Sequence, residues 1–142
     1  MESIQINFTA VLVAVVANFI LGFLWYTPLF GKAWAREIGL DTSVKPTGAE
    51  MAKGMTIMVI GNFFMAYVLA HNIAAWSFVP GMEEMPIVST VLNTTVFTWL
   101  GFYLPVDIGV VAWERKSWKL FAINTGYHFM MLLVAAIILT HM

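Results

Sequence analysis

The sequence predicts an all-α polytopic membrane protein with four transmembrane helices in a single domain covering residues 1–142. Two observations carry that prediction. The 142 residues are 61% hydrophobic and only 11% charged, where soluble domains are nearer half apolar and a quarter charged. The apolar stretches run from Ile6 to Phe30, Met51 to Ala75, Pro86 to Val106 and Lys119 to His141. Each is long enough for a helix of about 20 residues to cross a bilayer. With four crossings, all seven Lys and Arg residues fall on one side. Lys32, Arg36, Lys45 and Lys53 sit in or beside the first connection, and Arg115, Lys116 and Lys119 in or beside the third. Basic residues are retained in the cytoplasm, so both termini should face outward.

The first span lacks a basic stretch before it and exceeds a typical signal-peptide core, so it reads as a retained helix. Ala10, Ala14, Asn18 and Gly22 recur at steps of four and form a face that another helix can approach closely. Trp25 and Tyr26 mark the inner interface, and Pro28 kinks or ends the helix. Residues 30–38 then form a short interfacial helix. Phe30, Trp34 and Ile38 share one face, and Lys32 and Arg36 share the other, facing anionic lipid. Gly39 to Gly48 reads as a loop.

The second span places Gly54, Met58, Gly61, Asn62 and Ala66 on a common side. Pro80, Gly81, Glu83, Glu84 and Pro86 make the outer turn, with the two glutamates at the start of the next helix. The third span carries the stripe Thr90, Thr94, Thr98, flanked by Asn93, and Pro105 kinks it. The fourth puts Asn124, Tyr127, His128, Met131 and Ala135 on one face. Leu21-Gly22-Phe23 and Ala33-Trp34-x-Arg36 recur at one offset as Leu100-Gly101-Phe102 and Ala112-Trp113-x-Arg115. The recurrence suggests a duplicated helical hairpin; chance matching in an apolar alphabet is the alternative.

The run Gly22-Phe23-Leu24-Trp25-Tyr26-Thr27-Pro28-Leu29-Phe30-Gly31-Lys32-Ala33-Trp34, with Asn124-x-Gly126-Tyr127 in the last span, resembles the membrane-protein family called domain of unknown function 1761. The resemblance covers nearly the whole chain. It implies a small, mostly bacterial, four-helix protein. The expected location is then the bacterial inner membrane, with the first and third connections cytoplasmic. It implies no activity and supplies no catalytic residue.

The polar candidates within the spans are Asn18, Asn62, Asn93, Asn124, Tyr127 and His128. His128 stands near mid-membrane, where ionisable side chains are costly. A neutral imidazole there could relay protons or ligate a metal; the favoured reading is a neutral His hydrogen-bonded to an Asn or Thr of a neighbouring helix, the arrangement that commonly holds such bundles together. Asp107 is expected to turn away from the threonine stripe and to snorkel or pair with Lys53 or Arg115. His71 and His141 read as interfacial polar residues. Trp25, Trp34, Trp113 and Trp118 form an inner aromatic belt. Lys32, Trp34, Arg36, Trp113, Arg115 and Lys116 are candidates for lipid headgroups, anionic ones in particular.

There is no cysteine, so thiolate chemistry and disulfides are excluded. The residues supply no nucleophile–base set, phosphate loop or metal-ligand spacing, so no cofactor, metal or catalytic residue is assigned. Seven bases spread along a membrane face do not suggest nucleic-acid binding. Three functions stay open, with the small-molecule ligand unknown in each. One is a small transporter or channel-like protein working as a homo-oligomer packed through Ala14, Asn18, Gly22 and the polar face of the fourth helix. Another is an accessory protein binding lipid or a larger partner through the basic face. The third, the weakest, is a membrane enzyme or cofactor protein centred on His128.

Overall fold

The computed structural model describes residues 4–142 and is all helical. The elements are α1 (Phe8–Leu24), a π turn (Trp25–Leu29), α2 (Gly31–Ile38), α3 (Gly48–Trp76), α4 (Ile87–Thr98), a second π turn (Trp99–Tyr103), α5 (Leu104–Glu114) and α6 (Trp118–His141). Among the described residues, four continuous helical stretches are long and apolar enough to cross a membrane: Phe8–Leu29, Gly48–Trp76, Ile87–Glu114 and Trp118–His141. The third is longer than the hydropathy pattern indicates. Pro105 does not end it but sits in the first turn of α5, where its missing N–H costs least.

Helices α1, α3 and α6 each start at a side chain that caps them. Asn7 accepts from Ala10 N at 3.1 Å. Thr47 and Glu50 form a reciprocal capping box at the start of α3. Ser117 accepts from Leu120 N at 3.1 Å to open α6. The same hydroxyl donates to Glu37, which ties α2 to the start of α6. Helix α2 ends at Gly39, whose φ of 70° is the left-handed conformation that glycine adopts freely.

Helix α6 is the hub, touching α1, α3, α4, α5 and α2. The core holds Val11, Ala14, Val15, Ala66, Leu69, Val91, Leu132, Ala135 and Ala136. Its four alanines allow close backbone approach, the packing that replaces the hydrophobic effect in lipid. Leu12, Val16, Ile20 and Phe23 cover the outer side of α1.

Three expectations about helix faces need correction. Helix α3 packs on α1 and α6 only through its second half: Asn62, Ala66 and Leu69 are buried, while every residue from 48 to 61 is exposed, Gly54, Met58 and Gly61 included. The buried side of α4 is Val91 and Thr95; Thr90, Thr94 and Thr98 are half-buried beside it and Asn93 is exposed. The stripe Ala14, Asn18, Gly22 is used inside the chain, so it is not available to a second copy. The packing also lacks the symmetry of two equivalent hairpins, because α6 is central whereas α3 is peripheral and scarcely touches α4.

Candidate functional site: an intramembrane polar network on α6

The run from Trp25 to Gly31 builds an elbow. Phe30 N donates to Trp25 O at 2.8 Å, a five-residue closure that widens the helix around Pro28. Gly31 closes it: a Cβ there would lie 2.6 Å from the Tyr26 carbonyl oxygen, so only glycine fits. The elbow aims two aromatic side chains at α6. Trp25 Nε1 donates to Ile123 O at 3.0 Å, and Tyr26 donates its hydroxyl proton to Asn124 Oδ1 at 3.0 Å. The facing segment is shaped to receive them. A Cβ at Gly126 would come within 3.3 Å of the Trp25 ring, and one at Gly22 within 3.0 Å of the Tyr127 hydroxyl. The two motifs that carry the family resemblance therefore interlock across α1 and α6. Trp25 is consumed in this joint, not in an interfacial belt.

The second π turn repeats the device from the other side. Leu104 N donates to Trp99 O. Trp99 Nε1 reaches α6 at Thr125, 3.0 Å from its hydroxyl and 3.2 Å from its carbonyl. The extra residue of this turn also redirects Asp107. On an unbroken α-helix Asp107 would stand about 120° from the buried Thr95, but one inserted residue brings it to within about 20°. Asp107 is accordingly buried against α6 instead of snorkelling, and its partner is neither Lys53 nor Arg115. Its Oδ2 lies 2.8 Å from His128 Nδ1. The partner of His128 is thus a carboxylate, which the threonine and asparagine pattern did not indicate.

The pair lies well inside the span. Asp107 is seven residues before the end of α5, or about 10 Å along the axis. Its side chain is 8% exposed and that of His128 27%, so the imidazole is the accessible member. The Tyr103 ring packs 4.9 Å from the His128 ring, and Tyr127 lies 5.1 Å from Tyr26. Among the described residues this is the only contact between a carboxylate and a basic side chain at salt-bridge distance.

The other candidates separate clearly. Asn18 and Asn62 are buried, as is Tyr127. Asn124 is half-buried and holds Tyr26. Asn93 is exposed, reaching only Met85 Sδ at 3.7 Å, and does not join the network. His71 and His141 turn back to carbonyls of their own helices, Tyr67 O at 2.9 Å and Ile137 O at 2.7 Å. Glu83 accepts from Gly81 N at 2.9 Å in the turn before α4, so it does not sit in the first turn of that helix. Lys32, Arg36, Arg115 and Lys116 are exposed, Trp113 is 87% exposed, and Trp34 packs edge-on against Tyr26. Among the described residues no group of three His, Cys, Asp or Glu side chains could hold a metal ion.

Fold and site together define a four-span helical membrane protein with a buried carboxylate–imidazole pair between its third and fourth spans. The chain belongs to the family described as protein of unknown function (DUF1761), whose family model matches residues 9–140. No curated protein and no solved structure matches it.

Proposed function

We propose that this protein is a small transporter of an ion or solute in which Asp107 and His128 form one proton-binding site within the membrane. The observation that carries this reading is the 2.8 Å contact between the two groups, with Asp107 buried and His128 partly open. An ionisable residue inside a span is expensive to keep there and marks ion and proton pathways. With one proton between them the pair is net neutral, either as imidazolium and carboxylate or as imidazole and carboxylic acid. Losing that proton leaves a net negative site, and gaining a second leaves a positive one. Either change in a low-dielectric setting gives a strong bias between conformations, the requirement for coupling a proton to movement of a solute.

The four spans leave little wall around a path, so the working unit is a homo-oligomer. The exposed half of α3, residues 48–61, supports that reading by leaving a helical surface uncovered within the chain. The charge distribution supports a bacterial inner-membrane orientation with both termini outside.

Proteoliposomes loaded with a pH-sensitive dye test the proposal. A proton gradient should collapse faster with the wild type than in empty vesicles. Asp107→Asn should slow the collapse by about tenfold or more, as loss of an essential proton carrier does. A wild type no faster than empty vesicles, or an Asp107→Asn protein as fast as wild type, would overturn it.

A second reading has its own support. None of the seven Lys and Arg side chains has an acidic partner at salt-bridge distance among the described residues. Lys32, Arg36, Arg115 and Lys116, with Trp34 and Trp113, suit anionic headgroups, the surface expected of an accessory protein. Thermal stabilisation by anionic lipid without any flux would favour that reading.

A further inference from the structure

Two buried side chains on neighbouring helices carry polar atoms that nothing among the described residues satisfies. Asn18 on α1 is completely buried, and neither its Oδ1 nor its Nδ2 has a hydrogen-bond partner. Asn62 on α3 donates from Nδ2 to Met58 O at 3.0 Å, but its Oδ1 is unpartnered. The Tyr127 hydroxyl on α6 is buried and unpartnered as well.

The three groups come from three helices that all pack on one another, α1, α3 and α6. Helices α3 and α6 are the long helices packed on α1. The Tyr127 hydroxyl lands on Gly22, one turn beyond Asn18 on the same face. Asn18 follows Ala14 and Asn62 precedes Ala66, both core alanines. Because α1 and α3 run in opposite directions, each asparagine lies on the α2 side of that core. Thr95, the other orphaned hydroxyl, comes from α4, which packs chiefly on α6.

Orphaned buried carboxamides are rare, because each unmade hydrogen bond carries the full cost of desolvation. The three side chains together offer the two donors of Asn18, two carboxamide acceptors and a hydroxyl that does both. They carry no formal charge. A cation would meet the Asn18 donors, and an anion would meet the carbonyl oxygens. We infer that Asn18, Asn62 and Tyr127 form an internal site for a neutral guest with both donors and acceptors, either water or a small amide-like or hydroxylic solute. The site shares no side chain with the Asp107–His128 pair and stands whether or not that pair carries protons.

Hydroxyl-radical labelling by X-ray pulse, read by mass spectrometry on the intact protein in lipid nanodiscs, tests it without any transport assay. Radicals form from water, so a buried tyrosine is labelled only where water is bound beside it. With water as guest, Tyr127 should be labelled in the wild type, and labelling should fall severalfold in Asn18→Leu. With a solute as guest, Tyr127 labelling should be low, and native mass spectrometry should show a retained neutral mass that Asn18→Leu loses. Asn62→Leu serves as the second variant should Asn18→Leu fail to fold. An unlabelled Tyr127 with no retained mass in the wild type would overturn the site. In that case Asn18→Leu should raise the melting temperature, because it would only remove orphaned polar atoms. Asp107→Asn should leave Tyr127 labelling unchanged, so failure of the proton-site reading and failure of this one are distinguishable.

Discussion

Single residues decide how the spans meet. Gly31 and Gly61 are both helical glycines of an apolar chain, yet only one is required. A Cβ at Gly31 meets the Tyr26 carbonyl at 2.6 Å, whereas one at Gly61 meets nothing within 4 Å. Gly31→Ala should therefore destabilise the protein by about 1–3 kcal/mol, the usual cost of overpacking. Gly61→Ala should be neutral or stabilise by up to about 1 kcal/mol through helix propensity. Thermal unfolding in one detergent checks both, and equal effects would contradict the elbow geometry. Trp25→Phe keeps an aromatic ring, though a smaller one, and removes the donor to Ile123 O; it should cost at least about 0.5–1.5 kcal/mol in the same assay. The asparagine and histidine positions were visible in the sequence as polar exceptions in apolar spans. Their partners were not. Nothing in the spacing of Asn124 says that Tyr26 will reach it, because the two are 98 residues apart.

At the scale of elements, the two π turns hold the information that helical periodicity lacks. Pro28 and Pro105 are legible as breaks in regularity, but a break does not announce an added residue. Counting at 3.6 residues per turn sends Asp107 away from the bundle; adding one residue at Trp99–Tyr103 returns it to α6. The same blindness applies to α3, whose small-residue side Gly54, Met58 and Gly61 reads as a packing face although only the second half of the helix is packed. Caps are more readable, since Ser117 and Thr47 are local signals. Ser117 serves two elements by capping α6 and holding Glu37 of α2. Ser117→Ala should cost about 1–2 kcal/mol, at the upper end for a lost cap. Ser43→Ala, in an exposed turn where Ser43 bonds only Asp41, should cost less. Equal melting temperatures for the two variants would detach α2 from the account.

At the scale of the whole molecule, hydropathy and charge were enough for the span count, because both follow from the bilayer as solvent and not from packing. The arrangement of the spans was not legible, since lipid and helix surfaces are equally apolar. That α6 is central follows from its partners, not from its composition. The sidedness can be checked cleanly because the chain has no native cysteine. In intact cells, Ser77→Cys should react with a membrane-impermeant maleimide, and Ser43→Cys should react only after permeabilisation. The reverse pattern would invert the orientation and place the basic face outside. The central claim concerns the Asp107 carboxylate, buried in the spans beside His128, and the direct measurement is an infrared titration of the protein in lipid. The account predicts a carboxyl band that changes with pH, vanishes in Asp107→Asn and moves in His128→Gln. A band assigned to Asp107 that titrates identically with and without His128, or no such band, would contradict a shared proton site.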